Sequence, residues 1–281
     1  MSRNLLKEFK NFVSKYRIIM FIDESLEPVF VVERGECRYK VAIISLPKAG
    51  TYLLAELLKS LGLVSTGLHV TADGSGFTDY RFISLEKGRR NYRNYVYKMP
   101  FDEVVERVRP CQFVVGHFHY NDYIKRCLQD FKKIFIVREL RHCLISHMRF
   151  LKDTGREDLS HFTWHKEQDK KNMMVAYLRE FGRIFSDTWA FPLMGWMKCD
   201  DVLVLRFEEI LEMEEMPEGI LTKLGRFLGL GDRKIDPDKF LFRGTLTWSG
   251  KLSSLDEYWS EEAENYFRQL GLYEVNTYFG Y

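Results

Sequence analysis

The sequence contains few of the features that mark secreted, membrane-bound or nucleic-acid-binding proteins. No apolar run approaches the roughly 18 residues of a membrane-spanning helix, and the charged N-terminal segment lacks the apolar core of a signal peptide. The five cysteines are scattered, odd in number and without a CxxC pair, which argues against a disulfide framework and favours reduced thiols in the cytoplasm. Because the formal net charge is only +2, we expect neither a nucleic-acid partner nor a membrane partner.

Common nucleotide and metal motifs are also missing. The chain has no GxxxxGK[ST] phosphate loop, no GxGxxG fingerprint and no HExxH zinc motif. His117 and His119 form an HxH pair, and His161 and His165 lie four residues apart. Since no third ligand has a suitable spacing, we predict that the protein holds no metal.

The composition is that of an ordinary globular protein, with 46% hydrophobic and 29% charged residues. There is no internal repeat, no low-complexity tract and no linker rich in Pro and Gly. We therefore predict a single domain over residues 1–281, with an N-terminal helix and hairpin in residues 1–40 and an α/β core in residues 41–281. The expected elements near its start are a helix over 4–17 and strands over 28–33 and 38–45.

The most informative stretch is VAIISLPKAGTYLLAELLKSLG, Val41 to Gly62. Its apolar start predicts a buried strand, and the leucines that follow Thr51 at helical spacing predict an amphipathic helix. The first turn of a helix attracts anions through its unpaired N–H groups and its dipole, and Lys48 in the loop adds a full charge. Gly50 would let the backbone approach a ligand closely. The segment predicts an anion site, although the same arrangement also occurs in α/β proteins that bind no ligand.

A second predicted strand, CQFVVGHFHY over residues 111–120, ends in His117 and His119. Side chains alternate along a strand, so both imidazoles should project to the same side.

A third predicted strand, KIFIVR over 133–138, delivers Arg138 to the carboxyl edge of the sheet, where open α/β sheets bind ligands. A helix is expected from about His142, with Ser146 near its start. A strand-end arginine that simply pairs with a backbone carbonyl would be the structural alternative. A fourth strand, DVLVLRF over 201–207, is expected to be structural.

In this order the segments resemble the motifs of the sulfotransferases that use 3′-phosphoadenosine 5′-phosphosulfate (PAPS). SLPKAGTYLL resembles the 5′-phosphosulfate loop of that family, in which Pro-Lys-Ser/Ala-Gly-Thr precedes a helix. The resemblance implies that the loop residues contact the donor: Pro47, Lys48, Ala49, Gly50, Thr51 and Tyr52.

The family's second motif holds the 3′-phosphate with an Arg at a strand end and a Ser eight residues later, a spacing that Arg138 and Ser146 share. The family usually continues Arg-Asp-Pro-Arg-Asp, whereas this chain has Glu139, Leu140 and His142 and retains Arg141. The loop after Arg138 therefore departs from the family pattern.

The segment LTWSGKLSSLDEYWSEEAENYFRQLG resembles the family's C-terminal Arg-Lys-Gly loop and the helix after it. This implies donor contacts from Ser249, Gly250 and Lys251. Trp248 and Ser249 stand where Arg and Lys are common, so the basic contact moves to Lys251, or Arg243 compensates.

The resemblance spans residues 41 to 262 and implies an α/β, P-loop-like sulfotransferase fold, three layers with a central parallel sheet. The implied reaction is sulfuryl transfer from PAPS to a hydroxyl or amine of a small molecule, leaving 3′,5′-adenosine bisphosphate (PAP), without a metal. Gly116-His117-Phe118 matches the family's general base, with His119 as the fallback, and Lys48 would stabilise the leaving group.

Two other functions stay open at this point. One is a nucleotide-dependent phosphotransferase, and the other is a non-catalytic nucleotide-binding protein of the same fold. The acceptor is expected to meet the irregular, aromatic region from Gly67 to Lys98 and the polar segment from Leu151 to His165. A homodimer is a further expectation.

Overall fold

A computed structural model of the protein describes residues 37–79, 96–154, 160–212, 217–231 and 254–281. The helix expected over 4–17 and the strand expected over 28–33 lie outside the described residues. The same holds for Arg243, Ser249, Gly250 and Lys251. A single domain over 1–281 stays a prediction.

Seven strands form one sheet. They are β1 Lys40–Ser45, β2 Val64–Val70, β3 Gly76–Asp79, β4 Val96–Lys98, β5 Gln112–Gly116, β6 Phe131–Val137 and β7 Val202–Arg206. The α-helices are α1 Thr51–Ser60, α2 Phe101–Glu106, α3 Asp122–Cys127, α4 Leu140–Thr154, α5 Lys170–Phe185, α6 Phe191–Leu193, α7 Phe207–Leu211, α8 Pro217–Leu228, α9 Leu255–Tyr258, α10 Glu261–Gln269 and α11 Leu272–Tyr278. A π-helical turn, Ser186–Ala190, joins α5 to α6, and short 3₁₀ turns span Trp164–Lys166 and Met194–Lys198.

The strand order is β4-β3-β2-β5-β1-β6-β7, in which β1 is the middle one of the five parallel strands. The pairs β2–β5, β5–β1, β1–β6 and β6–β7 are parallel, whereas β3 and β4 extend the sheet in antiparallel pairing. Because β1 pairs with β5 on one side and β6 on the other, the chain switches direction across the sheet at β1. Ligands of open α/β sheets bind at such a switch point, beyond the carboxyl ends of the strands.

Both faces of the sheet are covered, which explains why the central strands are apolar throughout. Ala42 and Ile44 of β1 belong to one hydrophobic cluster, and Val41 and Ile43 belong to the other. Helices α1 and α8 bury leucines in the second cluster, while α4 and α5 pack in the first. This arrangement confirms the predicted three-layer α/β fold with a mostly parallel sheet.

The region from Gly67 to Lys98 is more regular than the sequence suggested. Its described parts contain most of β2 and all of β3 and β4, which pair in antiparallel fashion. The prediction was wrong there because β2 alternates buried residues with partly exposed polar ones and contains Gly67 in a left-handed conformation (φ 70°). Such a short, half-polar strand near the edge of a sheet has the composition of a loop.

Within the described ranges, no helix combines the length and the apolar character needed to cross a bilayer.

Candidate active site

Four parallel strands deliver their carboxyl ends to one rim of the sheet. Ser45 ends β1, His117 follows β5, Arg138 follows β6 and Phe207 follows β7. Since the strands are parallel neighbours in the order β5-β1-β6-β7, these residues lie side by side. The rim is the candidate site.

The loop over residues 46–50 joins β1 to α1 and is called the donor loop below. Lys48 and Gly50 both adopt positive φ, 68° and 101°. The Ala49 N–H donates to the Leu46 carbonyl over 3.2 Å and closes the turn. No side chain of the described residues caps α1 at Gly50, and the first turn of α1 carries no acidic residue. The positive end of α1 therefore faces the rim with its electrostatic attraction for anions intact.

Gly50 serves a packing purpose. A Cβ atom at Gly50 would stand 2.4 Å from Cδ2 of Phe207 and 3.2 Å from Cδ1 of Ile136. The sequence predicted that Gly50 lets the backbone come close to a ligand. In the structure, the backbone at Gly50 comes close to the ring of Phe207. Pro47 and Ala49 are buried, whereas Lys48 and Gly50 are partly exposed.

Arg138 connects β6 to the donor loop. Its Nη1–H donates to the Lys48 carbonyl over 3.1 Å, and its guanidinium carbon lies 4.2 Å from the centre of the Phe207 ring. Arg138 therefore pairs with a backbone carbonyl, the structural role named above as an alternative, but it uses only one of the five N–H groups of its guanidinium for this. The residue is only 5% exposed, and its buried Nε–H has no hydrogen-bond partner among the described residues. Buried donors without an acceptor are rare in folded proteins.

The ammonium nitrogen of Lys48 lies 4.3 Å from the centre of the Phe150 ring of α4. Ser146 lies on the same helix and is half-buried. Helix α4 therefore contacts the side chain of Lys48 through Phe150. The pairing of Arg138 with Ser146 at one phosphate stays a prediction.

The N-terminus of α4 is closed by protein groups. The Leu140 N–H donates to Oδ1 of the buried Asn276 over 2.8 Å, and the His142 N–H donates to the Glu139 carboxylate over 3.1 Å. Glu139 thereby caps the helix in a chain that lacks the Asp and Pro of the family pattern. Helix α1, in contrast to α4, has no side-chain cap from the described residues.

Arg141 is directed away from the donor loop, toward the C-terminal helices. It donates two hydrogen bonds to Glu264 of α10, over 2.8 and 2.9 Å, and a third to Glu139 over 2.7 Å. Its guanidinium carbon also lies 4.5 Å from the centre of the Phe267 ring. The Arg141 hydrogen bonds hold the pKa of Glu264 below its usual value. Arg141 therefore joins α4 to α10.

His117 is held by the last residue of β1. Its Nδ1 lies 2.8 Å from the Ser45 carbonyl oxygen and 3.2 Å from the Ser45 hydroxyl, which in turn lies 2.6 Å from the Thr51 hydroxyl. A carbonyl oxygen only accepts, so Nδ1 carries the proton, and in the neutral imidazole the lone pair lies on Nε2. This is the tautomer in which Nε2 can act as a base.

His119 contacts a different part of the molecule. Its Nε2–H donates to the Thr188 carbonyl in the π-helical turn over 2.7 Å. The expectation that both histidines project to one side assumed a strand as far as His119, but β5 ends at Gly116. The alternation of a strand does not continue past that point, and the two imidazoles have separate partners.

Two residues of the site were not singled out as site residues from the sequence. Ser45 was treated as the last residue of a buried strand, and His69 as one of several polar residues in a loop. His69 lies in β2, its ring centre is 4.7 Å from that of His117, and its Nδ1 is 3.0 Å from the Tyr52 hydroxyl. A polar residue between the buried Leu68 and Val70 was the available signal, because it must face a polar environment.

Cys143 of α4 lies beside the rim, with its Sγ 3.9 Å from the Arg138 carbonyl oxygen. Burial raises the pKa of the Cys143 thiol to about 12, which makes it a poor nucleophile. All five cysteines are free thiols. In the part of the chain that the structure describes, no group of three or more His, Cys, Asp or Glu side chains could hold a metal ion.

Comparisons with known proteins agree with this geometry. The family model of the sulfotransferase domain matches residues 38–268. The structure of mouse sulfotransferase SULT7A1 complexed with PAP is similar, with a TM-score of 0.53, 16% identity, and coverage of 86% of this chain and 88% of that chain. Retinol dehydratase in complex with androsterone and PAP gives a TM-score of 0.46, 12% identity, and coverage of 82% and 80%. No curated protein sequence matches the chain.

At 16% identity the structural likeness concerns the fold. The family model, in contrast, includes all four strand ends of the rim, from Ser45 to Phe207, within its matched range. The chain therefore belongs to the sulfotransferase domain family and is an enzyme of sulfuryl transfer.

Proposed function

We propose that this protein transfers the sulfuryl group of PAPS to a hydroxyl or amine of a small-molecule acceptor, with Lys48 at the leaving group and His117 as general base. The observation that carries the proposal is the connection through Ser45. Ser45 joins the imidazole of His117 to Thr51, the first residue of the helix that follows the donor loop. The base and the anion-binding helix end therefore have a common anchor.

PAPS presents two anionic groups, a 5′-phosphosulfate and a 3′-phosphate, and the rim offers two cationic regions. We assign the 5′-phosphosulfate to the first turn of α1, Lys48 and the donor loop backbone. We assign the 3′-phosphate to Arg138 and Ser146, and to Ser249, Gly250 and Lys251 of the loop outside the described residues. The buried Nε–H of Arg138 supports this fit, because a phosphate oxygen would supply the hydrogen bond that it lacks among the described residues.

The donor supplies a sulfuryl group bonded through an oxygen to its 5′-phosphate. The acceptor oxygen or nitrogen forms a bond to sulfur while the bond from sulfur to the bridging oxygen breaks, and PAP departs. His117 Nε2 takes the acceptor proton, a contribution of about 10²- to 10⁴-fold. The Lys48 ammonium stabilises the negative charge that grows on the bridging oxygen, an effect of about 3 to 4 kcal/mol for a well-placed donor.

The choice of His117 over His119 follows from their hydrogen bonds. The His117 Nδ1–H is bound by Ser45, which leaves Nε2 as the basic nitrogen. His119 donates its Nε2–H to Thr188. Losing that bond would affect the packing of the π-helical turn more than the chemistry at the rim.

The test is a transfer assay with isotope-labelled PAPS and a panel of phenols, aliphatic alcohols and amines, analysed by mass spectrometry. His117→Ala should lower kcat by 10²- to 10⁴-fold, and Lys48→Ala by about 10²- to 10³-fold, while both variants stay folded. Lys59→Ala, which removes an exposed lysine paired with Glu56 at the far end of α1, is the matched control. Near-normal turnover of both site variants would overturn the mechanism.

The same assay decides between the open functions. PAP binding without turnover of any acceptor would indicate a non-catalytic binding protein. Tighter binding of ATP with magnesium than of PAP would indicate a phosphotransferase. His117 would be identified as the base if the His119→Ala enzyme transfers sulfate at a rate within about threefold of wild type while the His117→Ala enzyme shows a large loss.

The five free thiols support the proposal that the protein works in a reducing compartment such as the cytoplasm. The homodimer stays a prediction.

A further inference from the structure

Five residues at the rim form a closed ring of contacts, which we call the base ring: Ser45, Thr51, Tyr52, His69 and His117. Ser45 bonds to Thr51 and His117, Thr51 and Tyr52 are consecutive, Tyr52 contacts His69, and His69 contacts His117. The proposed mechanism uses His117 as the base and the first turn of α1, which contains Thr51 and Tyr52, as part of the donor site. It assigns no role to His69 or to the contact between Tyr52 and His69.

His69 is placed beside His117 by the sheet. It lies in β2 opposite Val115 of the parallel neighbour β5, two residues before His117. The two rings meet edge to face, with centres 4.7 Å apart and planes inclined by 69°. This is a favourable packing geometry for aromatic rings.

Tyr52 orients His69 from the opposite direction. The tyrosine lies in the first turn of α1, directly after the donor loop, and its hydroxyl oxygen is 3.0 Å from Nδ1 of His69. The ring centres of Tyr52 and His69 are 6.0 Å apart with planes inclined by 29°. Tyr52 therefore holds the His69 ring at Nδ1 and lies roughly parallel to it.

We propose that His69 is a positioning residue that holds the ring of His117 against tilting, and that Tyr52 transmits the position of the donor loop to it. The hydrogen bond from Nδ1 to Ser45 holds one edge of the His117 ring, and rotation about that bond would move Nε2. A second ring packed against His117 removes this freedom. The inference rests on the proposed role of His117 as base.

The consequence is a fixed distance between the base and the donor. Ser45 connects His117 to the start of α1 on one side, and His69 with Tyr52 connects it on the other. Both bridges end in the helix whose N-terminus is proposed to bind the phosphosulfate. Misplacement of a reacting group by about 1 Å costs about 100-fold in rate, so a second set of contacts that positions the base relative to the donor can raise kcat.

The experiment compares His69→Ala, His69→Gln and Tyr52→Phe with wild type in kcat, in KM for PAPS and in the Kd for PAP. We expect His69→Ala to lower kcat by about 10- to 100-fold and to change the Kd for PAP by less than about twofold. Gln can hydrogen-bond to the Tyr52 hydroxyl and should restore part of kcat. Tyr52→Phe should lower kcat less than His69→Ala, and the double variant should be no slower than His69→Ala alone.

Tyr123→Phe is the matched control, because it removes a phenol whose partner, Asp102, lies outside the rim. It should leave kcat unchanged. A loss of kcat in His69→Ala with an equal loss in Tyr123→Phe would indicate a general effect on stability and would overturn the inference.

A readout without turnover separates this inference from the proposed function. In ¹⁵N-histidine NMR of the full chain, the Nδ1–H of His117 should exchange with solvent at least about tenfold faster in His69→Ala than in wild type, because the ring tilts away from Ser45. Unchanged exchange, or unchanged kcat in an enzyme that His117→Ala inactivates, overturns the positioning role. Absence of sulfate transfer by the wild type would instead overturn the proposed function.

Discussion

Arg138 has a structural contact and an unused buried donor at the same time. Its Nη1–H fixes the donor loop through the Lys48 carbonyl, while its buried Nε–H has no partner among the residues that the structure covers. The planar guanidinium makes this possible because its donors point in fixed, different directions. A lysine could not perform both tasks, since its ammonium is a single point of charge.

We predict that Arg138→Lys raises the Kd for PAP by about 10- to 100-fold, the loss of one or two charge-assisted hydrogen bonds. Titration calorimetry with PAP would measure it. Arg126→Lys, at an exposed position of α3, is the control and should bind PAP normally. Equal affinity of Arg138→Lys and wild type would remove Arg138 from the phosphate site.

Position 50 requires glycine for two reasons, the positive φ of its backbone and the closeness of the Phe207 ring. Its φ of 101° disfavours a side chain, and an added Cβ would stand 2.4 Å from Phe207. Gly219, in the first turn of α8, has ample space for a side chain and does not adopt positive φ.

We predict opposite effects of the same substitution at these two glycines. Gly50→Ala should lower the free energy of unfolding by about 1 to 3 kcal/mol because of strain and overpacking. Gly219→Ala should raise it by about 0.5 to 1 kcal/mol, the helix preference for Ala over Gly. Denaturant unfolding would measure both, and a neutral Gly50→Ala would contradict the packing of the donor loop on Phe207.

At the scale of secondary structure, α4 and α10 are joined by the bidentate pair of Arg141 and Glu264. Both side chains are about one-fifth exposed, 19% and 23%. The pair therefore lies in a partly desolvated position between the helix that borders the rim and the C-terminal helices, where a charge-assisted hydrogen bond is stronger than at the surface.

The pair predicts acid-dependent stability. Because Arg141 lowers the folded-state pKa of Glu264, the stabilisation is complete above the unfolded pKa of 4.5 and is lost as the pH falls through the folded pKa. Glu264→Gln should lower the free energy of unfolding by about 1 to 2 kcal/mol at pH 7. Its difference from wild type should shrink as the pH falls below that unfolded pKa.

Urea unfolding at pH 7 and at several acidic pH values would test this expectation. Glu262→Gln, an exposed position of the same helix, is the control and should show neither effect. A difference between Glu264→Gln and wild type that stays constant with pH would mean that the Glu264 carboxylate is not coupled to Arg141.

For the whole molecule, binding and stability are linked through the rim. The donor loop, β5, β6 and β7 all contribute to one site, so a ligand that occupies it stabilises the folded state against unfolding of any of them. A ligand at 100 times its Kd adds about 2.7 kcal/mol to the free energy of unfolding.

We predict this increase for PAP and a smaller one for AMP at the same concentration, because AMP lacks the 3′-phosphate assigned to Arg138 and Ser146. Denaturant unfolding with each nucleotide is the measurement, and Arg138→Lys should reduce the difference between the two. Equal stabilisation by PAP and AMP would contradict a separate 3′-phosphate site.

Much of this molecule is predictable from local patterns. Runs of β-branched residues and leucines at helical spacing identify β1, α1 and β6, and family motifs identify Lys48 and Arg138. Boundaries were less predictable: β5 ends at Gly116, and β2 to β4 were mistaken for an irregular region because half of their residues are polar. Local sequence does not reveal which polar residues will face a neighbour from a distant segment.

The sequence by itself determined the main strands and helices of the core, because hydrophobic periodicity is a local property of the chain. The resemblance of its short motifs to the sulfotransferases implied the three layers and the order of the site segments. Only the tertiary structure decided which nitrogen of His117 is basic, that Gly50 packs on Phe207, that Arg141 binds α10, and that His69 adjoins the base. Each of these depends on contacts between residues far apart in sequence. Such contacts arise because neighbouring parallel strands place their carboxyl ends at one rim, and a local sequence pattern does not specify which strands are neighbours.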